Sequence, residues 1–230
     1  MIDQTSITHH IQRFIIDTLM YKEAARFRDL RPPKTDTNLF SYHLKSLIKS
    51  DMVVKVDGGY SLSMTGLAYV DRVSIGKKAV RRQPKIITML LVQNSEGGVL
   101  LQRRNKQPYI NAWTLPYGKL HINDETLEIA AKREAYEKLG LTDQALNHVG
   151  DCYIRVKNSD EVLSATLAHI FKFNRDDIVT SDDIIWVQPH KLQSYRLAPA
   201  VESIVARGFF NDPFFFEEFE ADWYNETHES

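Results

Sequence analysis

The chain has 230 residues, of which 43% are hydrophobic and 26% charged, with one cysteine and a formal net charge of −1. That balance excludes a wholly disordered chain. A single cysteine, Cys152, excludes an internal disulfide scaffold. No run approaches the ~18 apolar residues of a membrane-spanning helix. The opening MIDQTSITHHIQRF lacks the basic start and apolar core of a signal peptide, so a cytoplasmic protein is expected. The near-neutral total hides an asymmetry: residues 1–85 carry 15 Lys/Arg against 8 Asp/Glu, and residues 86–230 carry 14 against 22. A basic front and an acidic back predict bodies with different partners. The expected division is a domain over 1–76, a basic linker over 77–84 (Lys77, Lys78, Arg81, Arg82), a domain over 85–212, and a tail over 213–230.

In the front body, Ile7, Ile11, Phe14, Ile15 and Leu19 recur at helical spacing and predict an amphipathic helix over 6–20, with His9 and His10 on its exposed side. A short helix near 22–30 is expected to stop before Pro32-Pro33. A third helix starts at Asp36-Thr37, both good N-caps, and buries Phe40, Leu44, Leu47 and Ile48. Its other face offers Asn38, Ser41, Tyr42 and Lys45. Two short strands around Asp57-Gly58-Gly59 predict a hairpin, and a last helix covers 64–75. Three helices and a hairpin are the order of a winged helix-turn-helix, and ARFRDLRPPKTDTNLFSYHLKSLIKSDMVVKVDGGYSLSMTGLAYV resembles the winged-helix regulators of bacteria. The resemblance implies a helix over 36–50 in the major groove of DNA and a hairpin tip at 57–59 on the backbone. Arg26, Arg28, Lys34 and Lys45 would meet phosphates, while Asn38, Ser41 and Tyr42 face the groove; Tyr42 and His43 have packing roles as the alternative. The modest local surplus of base implies that a homodimer would be needed for tight binding.

In the back body, IITMLLVQ (86–93) and VLLQRR (99–104) read as strands around the turn Asn94–Gly98. Leu127, Ala130, Ala131 and Ala135 mark a helix from Thr126 to Leu139, stopped by Gly140. Strands follow at 147–155, 162–173 and 184–188, then a helix over 198–208. This order predicts an α/β sandwich. Phe209-Phe210 and Phe214-Phe215-Phe216 are too apolar for a free tail and are expected to dock, while Glu217–Ser230 is expected to fray.

The run WTLPYGKLHINDETLEIAAKREAYEKLGL resembles a Nudix box, whose pattern places an Arg-Glu pair, paired glutamates and a Gly-aliphatic end along one helix. Arg133-Glu134 fill the Arg-Glu pair, Glu137 the first of the paired glutamates, and Gly140-Leu141 the end. With Trp113-x-Leu-Pro upstream and Trp186 downstream, the resemblance extends over about 85–210. It implies an α+β protein of two domains: an N-terminal winged helix-turn-helix and a C-terminal Nudix α/β/α sandwich with a mixed sheet. It also implies a hydrolase of nucleoside diphosphates, in which box carboxylates present Mg²⁺ or Mn²⁺ to the diphosphate. Glu134, Glu137 and Arg133 would be the catalytic set, and Glu134, Glu137 and Glu125 the metal ligands.

Two departures alter that expectation. Position 138 is Lys where the family has the second paired Glu, which replaces a ligand by an ammonium with no lone pair. Lys138 stands four residues after Glu134, the order for a helical ion pair, so metal binding is expected to be weakened or absent. The stretch from Gly118 to Glu125 is also one residue too long; a bulged loop that keeps Glu125 in register is preferred over Asp124 in its place. An acid from a distant loop, Asp160-Glu161, could compensate. Tyr109 and Tyr117 could stack on a base; Arg103 and Arg104 could meet phosphates, with Gly118 and Lys138 completing a ligand site. The reading is a DNA-binding transcriptional regulator whose Nudix-like domain binds a nucleotide-type metabolite with little hydrolysis. The alternative is a Mg²⁺-dependent hydrolase with an accessory winged helix; a pure interaction scaffold has no residue in its favour.

Overall fold

The protein is described from a computed structural model, in which residues 7, 9–74, 79–80, 83–209 and 214–222 are described. The chain divides into two compact units, with the boundary between Arg82 and Gln83.

The N-terminal unit opens with α1 (His10–Leu19). Its cap is His9, whose Nδ1 accepts the Ile11 amide at 3.3 Å and whose ring stacks on buried His43 at 3.7 Å. His9 therefore closes the helix rather than pointing to solvent, as was expected. The expected helix over 22–30 shrinks to one 3₁₀ turn, Phe27–Leu30. The residues before it are drawn off by pairing: Ala25 exchanges both backbone hydrogen bonds with Tyr60 at 2.9 Å. A Cβ on Gly59 would lie 2.3 Å from the Ala25 carbonyl oxygen, so only glycine permits that approach. α2 (Thr37–Lys49) starts at Asp36, whose Oδ1 accepts the Asn38 and Leu39 amides at 2.8 and 3.0 Å. These amides hold the Asp36 carboxyl below its usual pKa. Phe40, Leu44 and Leu47 are buried against Ile11, Ile15 and Leu30, but Ile48 is exposed, contrary to expectation. The hairpin β1 (Val53–Val56) and β2 (Gly59–Leu62) leads into α3 (Met64–Arg72). After α3, β3 (Val73–Ser74) pairs antiparallel with β4 (Ala79–Val80).

The C-terminal unit is a mixed sheet in the order β11-β6-β5-β10-β9-β12. Its strands are β5 (Lys85–Gln93), β6 (Val99–Arg103), β9 (Asn147–Asn158), β10 (Glu161–Asn174), β11 (Ile184–Val187) and β12 (Phe215–Asp222). Short β7 (Trp113–Thr114) and β8 (Tyr117–Lys119) pair with β6 and β5. One apolar layer includes Ile87, Met89, Cys152, Ile154 and Ile170 under α5 (Val201–Phe209). The other joins Leu90, Val92, Phe171 and Phe173 to α4 (Leu127–Leu139). Cys152 is fully buried, and burial, with Glu217 and Asp151 nearby, pushes its thiol up to about 12, so it is a packing group.

The tail expectation is corrected. Residues 217–222 do not fray: they are the body of β12, which runs parallel to β9 with Phe215 opposite Gly150 and Glu220 opposite Arg155. Phe215 docks as expected, 7% exposed, whereas Phe214 and Phe216 are exposed. The acids that suggest a tail have cationic partners on the strand and helix beside them: Glu220 pairs with Lys157 and Arg155, and Glu217 with Arg207. Residues 223–230 lie outside the described residues, as do Phe210 and the linker cations Lys77, Lys78, Arg81 and Arg82.

Candidate functional site

The chemistry of the C-terminal unit collects where β8, the loop 120–126 and α4 meet. The loop is a closed turn: the Asp124 amide donates to the His121 carbonyl at 3.0 Å, and the His121 amide donates to Asp124 Oδ2 at 2.7 Å. Thr126 caps α4 through its hydroxyl, which accepts the Ile129 amide, and Gly140 ends the helix in the left-handed conformation at φ 68°. Between these caps Ala131 and Ala135 face the sheet, and their small side chains bring the helix close to it.

That closeness fixes Glu134. It is 3% exposed, and a Cβ on Gly118 would fall 1.6 Å from its Cδ, so its carboxylate occupies the space that any side chain at 118 would need. Arg133 ties the site together. Its Nε and Nη2 grip Asp124 at 3.0 and 2.8 Å, Nη2 also donates to the Lys119 carbonyl, and Nη1 donates to Glu134 Oε1 at 2.6 Å and lies 3.6 Å from Glu137. The fork geometry holds Asp124 ionised: the Arg133 hydrogen bonds, then the His121 amide, pull its carboxyl down to about 2. The same bonds raise the Arg133 pKa above its ordinary value.

Two sequence expectations fail here. Glu125 was placed in register with Arg133, but the residue that meets Arg133 is Asp124; Glu125 is exposed at the helix entrance and does not line the cleft. The turn at His121 points Asp124 inward and carries the extra residue outward. The expected Glu134–Lys138 pair is also not made among the described residues, because Arg133 holds the Glu134 carboxylate and Lys138 stays exposed at the cleft. Asp160 and Glu161 lie exposed at the β9–β10 end, away from the cleft lining.

The cleft itself is about 630 Å³. Its apolar floor includes Ile87, Met89, Ile154 and Val156. Its cations are Lys85, Arg103, Arg104, Lys106, Lys119 and Lys138, against the two carboxylates Glu134 and Glu137. Arg104 is positioned: Nε donates to the Pro108 carbonyl at 3.0 Å, Nη1 to the Tyr117 hydroxyl at 2.6 Å, and its guanidinium lies 5.3 Å from the Tyr117 ring centre. Arg103 is exposed on the wall. Tyr109 also lines the cleft, in the left-handed region at φ 61°, and its hydroxyl donates to the Asp222 carbonyl at 3.1 Å. Thr114 adds a buried hydroxyl with no hydrogen-bond partner among the described residues. Arg103, Arg104, Tyr109, Gly118 and Lys138 thus share one cleft with Glu134 and Glu137. The missed contributors are Lys85, Lys106 and Lys119, whose only sequence signal was charge beside the strands and box.

This donor set is poor for a divalent ion: one oxygen of Glu134 accepts from Arg133 beneath Gly118, Glu137 lies 3.6 Å from the same guanidinium, and residue 138 supplies an ammonium. The net charge of the cleft suits an anion.

In the N-terminal unit, Asn38, Tyr42, Lys45 and Lys49 recur at three- and four-residue spacing along the exposed face of α2; Tyr42 is 68% exposed. Ser41 is half-buried beside them. Lys34, exposed at φ 59°, lies in the turn that enters α2, and Arg28 is exposed beside Asp29 at 3.5 Å. His43 packs inward, its pKa lowered by burial and then by His9 and His10.

Residues 83–208 match the family model described as "NUDIX domain". Among solved structures, a mutator MutT protein from Bacillus halodurans is 18% identical, with TM-score 0.49, covering 59% of this chain and 89% of that one. The NUDIX domain of Shewanella oneidensis NrtR complexed with ADP ribose is 16% identical, with TM-score 0.47, covering 64% and 98%. Shewanella oneidensis NrtR complexed with a 27mer DNA is 16% identical, with TM-score 0.43, covering 53% and 59%.

Proposed function

Because the chain belongs to the NUDIX domain family, we propose that it keeps the family's ligand cleft as a sensor: the C-terminal unit binds a nucleotide-type metabolite without efficient cleavage, and the N-terminal unit binds DNA as a transcriptional regulator. The observation that carries this reading is the charge inventory of the cleft, six cations against two carboxylates, with Lys138 where a metal-binding acid would stand. Phosphate oxygens meet Arg103, Lys106, Lys119 and Lys138 by direct charge-assisted hydrogen bonds, and the buried Thr114 hydroxyl offers a further polar contact. The apolar floor and Tyr117 take the flat face of a base. Arg133, which grips Asp124, also holds one Glu134 oxygen, and the Lys138 ammonium replaces a further carboxylate, so the cleft is poorly equipped to recruit an ion that would activate water.

On the N-terminal unit, Asn38, Ser41 and Tyr42 form the groove-facing set, and Arg28, Lys34 and Lys45 meet phosphates. A homodimer supplies the second half-site. The second reading, a Mg²⁺- or Mn²⁺-dependent diphosphate hydrolase, is favoured by one observation: Glu134 and Glu137 do face the same cleft. A panel of dinucleotides and nucleoside diphosphate sugars, incubated with Mg²⁺ or Mn²⁺, decides between them. The sensor reading expects no turnover, with activity emerging in Lys138→Glu; robust turnover by the wild type, lost in Glu134→Gln, overturns it. A mobility-shift assay on the protein's own promoter tests the DNA half, and absence of any salt-sensitive binding there defeats it.

A further inference from the structure

A second constellation, beside Phe171 on β9 and β10 and outside the cleft lining, takes no part in the reading above. Asp151 sits directly across from His169 in the β9–β10 ladder. Between them and the turn, the ladder shifts register: Gly150 opposes Ile170, yet His148 opposes Phe171, leaving Val149 as an extra residue. In an unbroken strand, residues 148 and 151 would point to opposite faces. The bulge at Val149 re-aims His148 so that it joins Asp151 and His169 on one face, while Val149 packs with the other layer.

Both imidazoles converge on one oxygen. His148 Nε2 lies 2.8 Å and His169 Nδ1 2.7 Å from Asp151 Oδ1, and the three ligating atoms all fall within 4.8 Å of one another. The side chains are 30%, 22% and 13% exposed for His148, Asp151 and His169, enough for an ion to enter from solvent. The walls are apolar: His148 stacks on Phe171 at 4.7 Å and 15°, and Phe214 meets it edge-on at 5.1 Å.

We propose that His148, Asp151 and His169 form a site for one divalent transition ion of the Zn²⁺ class, with at least one coordination position open to water or a further donor. Two imidazoles and one carboxylate are a donor set such ions favour and that Mg²⁺ and Ca²⁺ do not. Ligand atoms about 2.1 Å from a tetrahedral ion stand roughly 3.4 Å apart. The hydrogen-bonded distances therefore open by roughly 0.6 Å, a side-chain adjustment that leaves the ladder intact. The ion would clamp β9 to β10 beside Phe214, at the start of the terminal strand.

The test uses the full chain stripped with chelator and titrated with Zn²⁺ by calorimetry and with Co²⁺ by visible absorption. The wild type is expected to bind one equivalent that His148→Gln, His169→Gln and Asp151→Asn each lose, with intense four- or five-coordinate Co²⁺ bands lost in parallel. Melting in chelator shows whether each variant folds; His148→Gln, at the exposed end of the cluster, is the variant least able to disturb the core. His9, whose ring packs against His10 and His43 in the other unit, supplies the control: His9→Gln should retain the equivalent. No binding by the wild type, or a stoichiometry unchanged in all three cluster variants, overturns the proposal.

Discussion

Replacing Gly118 by alanine tests the packing that organises the cleft. The new Cβ would fall 1.6 Å from Glu134 Cδ and 1.8 and 1.9 Å from its oxygens, so the carboxylate has to leave. If Glu134 swings into the cleft and stays hydrated, the cost is that of overpacking, ~1–3 kcal/mol. If it stays buried without Arg133, the cost approaches the ~3–5 kcal/mol of a broken buried pair. The exposed cleft favours the first outcome. At ~2–4 °C per kcal/mol for a domain of this size, the Tm should fall by roughly 2–12 °C. A double-mutant cycle identifies the cause. In a Glu134→Ala background the obstacle is gone, and alanine at 118 becomes neutral or mildly stabilising through the unfolded chain, by about 0.4–1 kcal/mol. Thermal and urea melts of the four proteins measure this. An equal cost of Gly118→Ala in both backgrounds would refute the claim that the Glu134 carboxylate fills this space.

Three further outcomes are expected. Arg133→Met should release Asp124 toward its ordinary pKa of 3.8 from about 2. A depressed carboxyl contributes stability above its unfolded pKa and loses it as pH falls through the folded value. The Asp124 part of the wild-type advantage, read as urea midpoints across a pH series, should therefore be constant above about pH 4 and close toward pH 2; an advantage that widens there contradicts the pairing. Phe215→Ala should cost ~3–5 kcal/mol by emptying the site over Gly150, whereas Phe216→Ala, 59% exposed, should stay within ~0.5 kcal/mol; equal effects in chemical denaturation would remove β12 from the folded core. Lys45→Ala should weaken DNA binding and lower the salt slope by about 1, with stability within ~0.5 kcal/mol of wild type; an unchanged slope in binding titrations would take α2 off the DNA.

Local rules made most of the elements legible. α4 could be read from the Leu127, Ala130, Ala131 and Ala135 stripe between a threonine cap and a left-handed glycine, and α2 from Asp36 and its apolar positions. What stayed hidden depends on residues far apart in the chain. The 22–30 helix fails because Ala25 pairs with Tyr60, a contact across the hairpin. β12 reads as an acidic tail until Lys157, Arg155 and Arg207 are brought beside its glutamates. Within the site, Arg133, Glu134, Glu137 and Lys138 were all recognisable, yet counting back from Arg133 selects Glu125, while the turn at His121 delivers Asp124. The histidine cluster has no sequence spacing at all, since a bulge at one residue creates it.

The most direct test is calorimetric titration of the dinucleotide and nucleoside diphosphate sugar panel into the full chain, once with excess EDTA and once with Mn²⁺, followed by chromatography of the recovered ligand. Charge-based capture by the cleft cations predicts affinities that agree within about twofold and a ligand returned intact. Binding that demands the metal, accompanied by release of a nucleoside monophosphate, would contradict it.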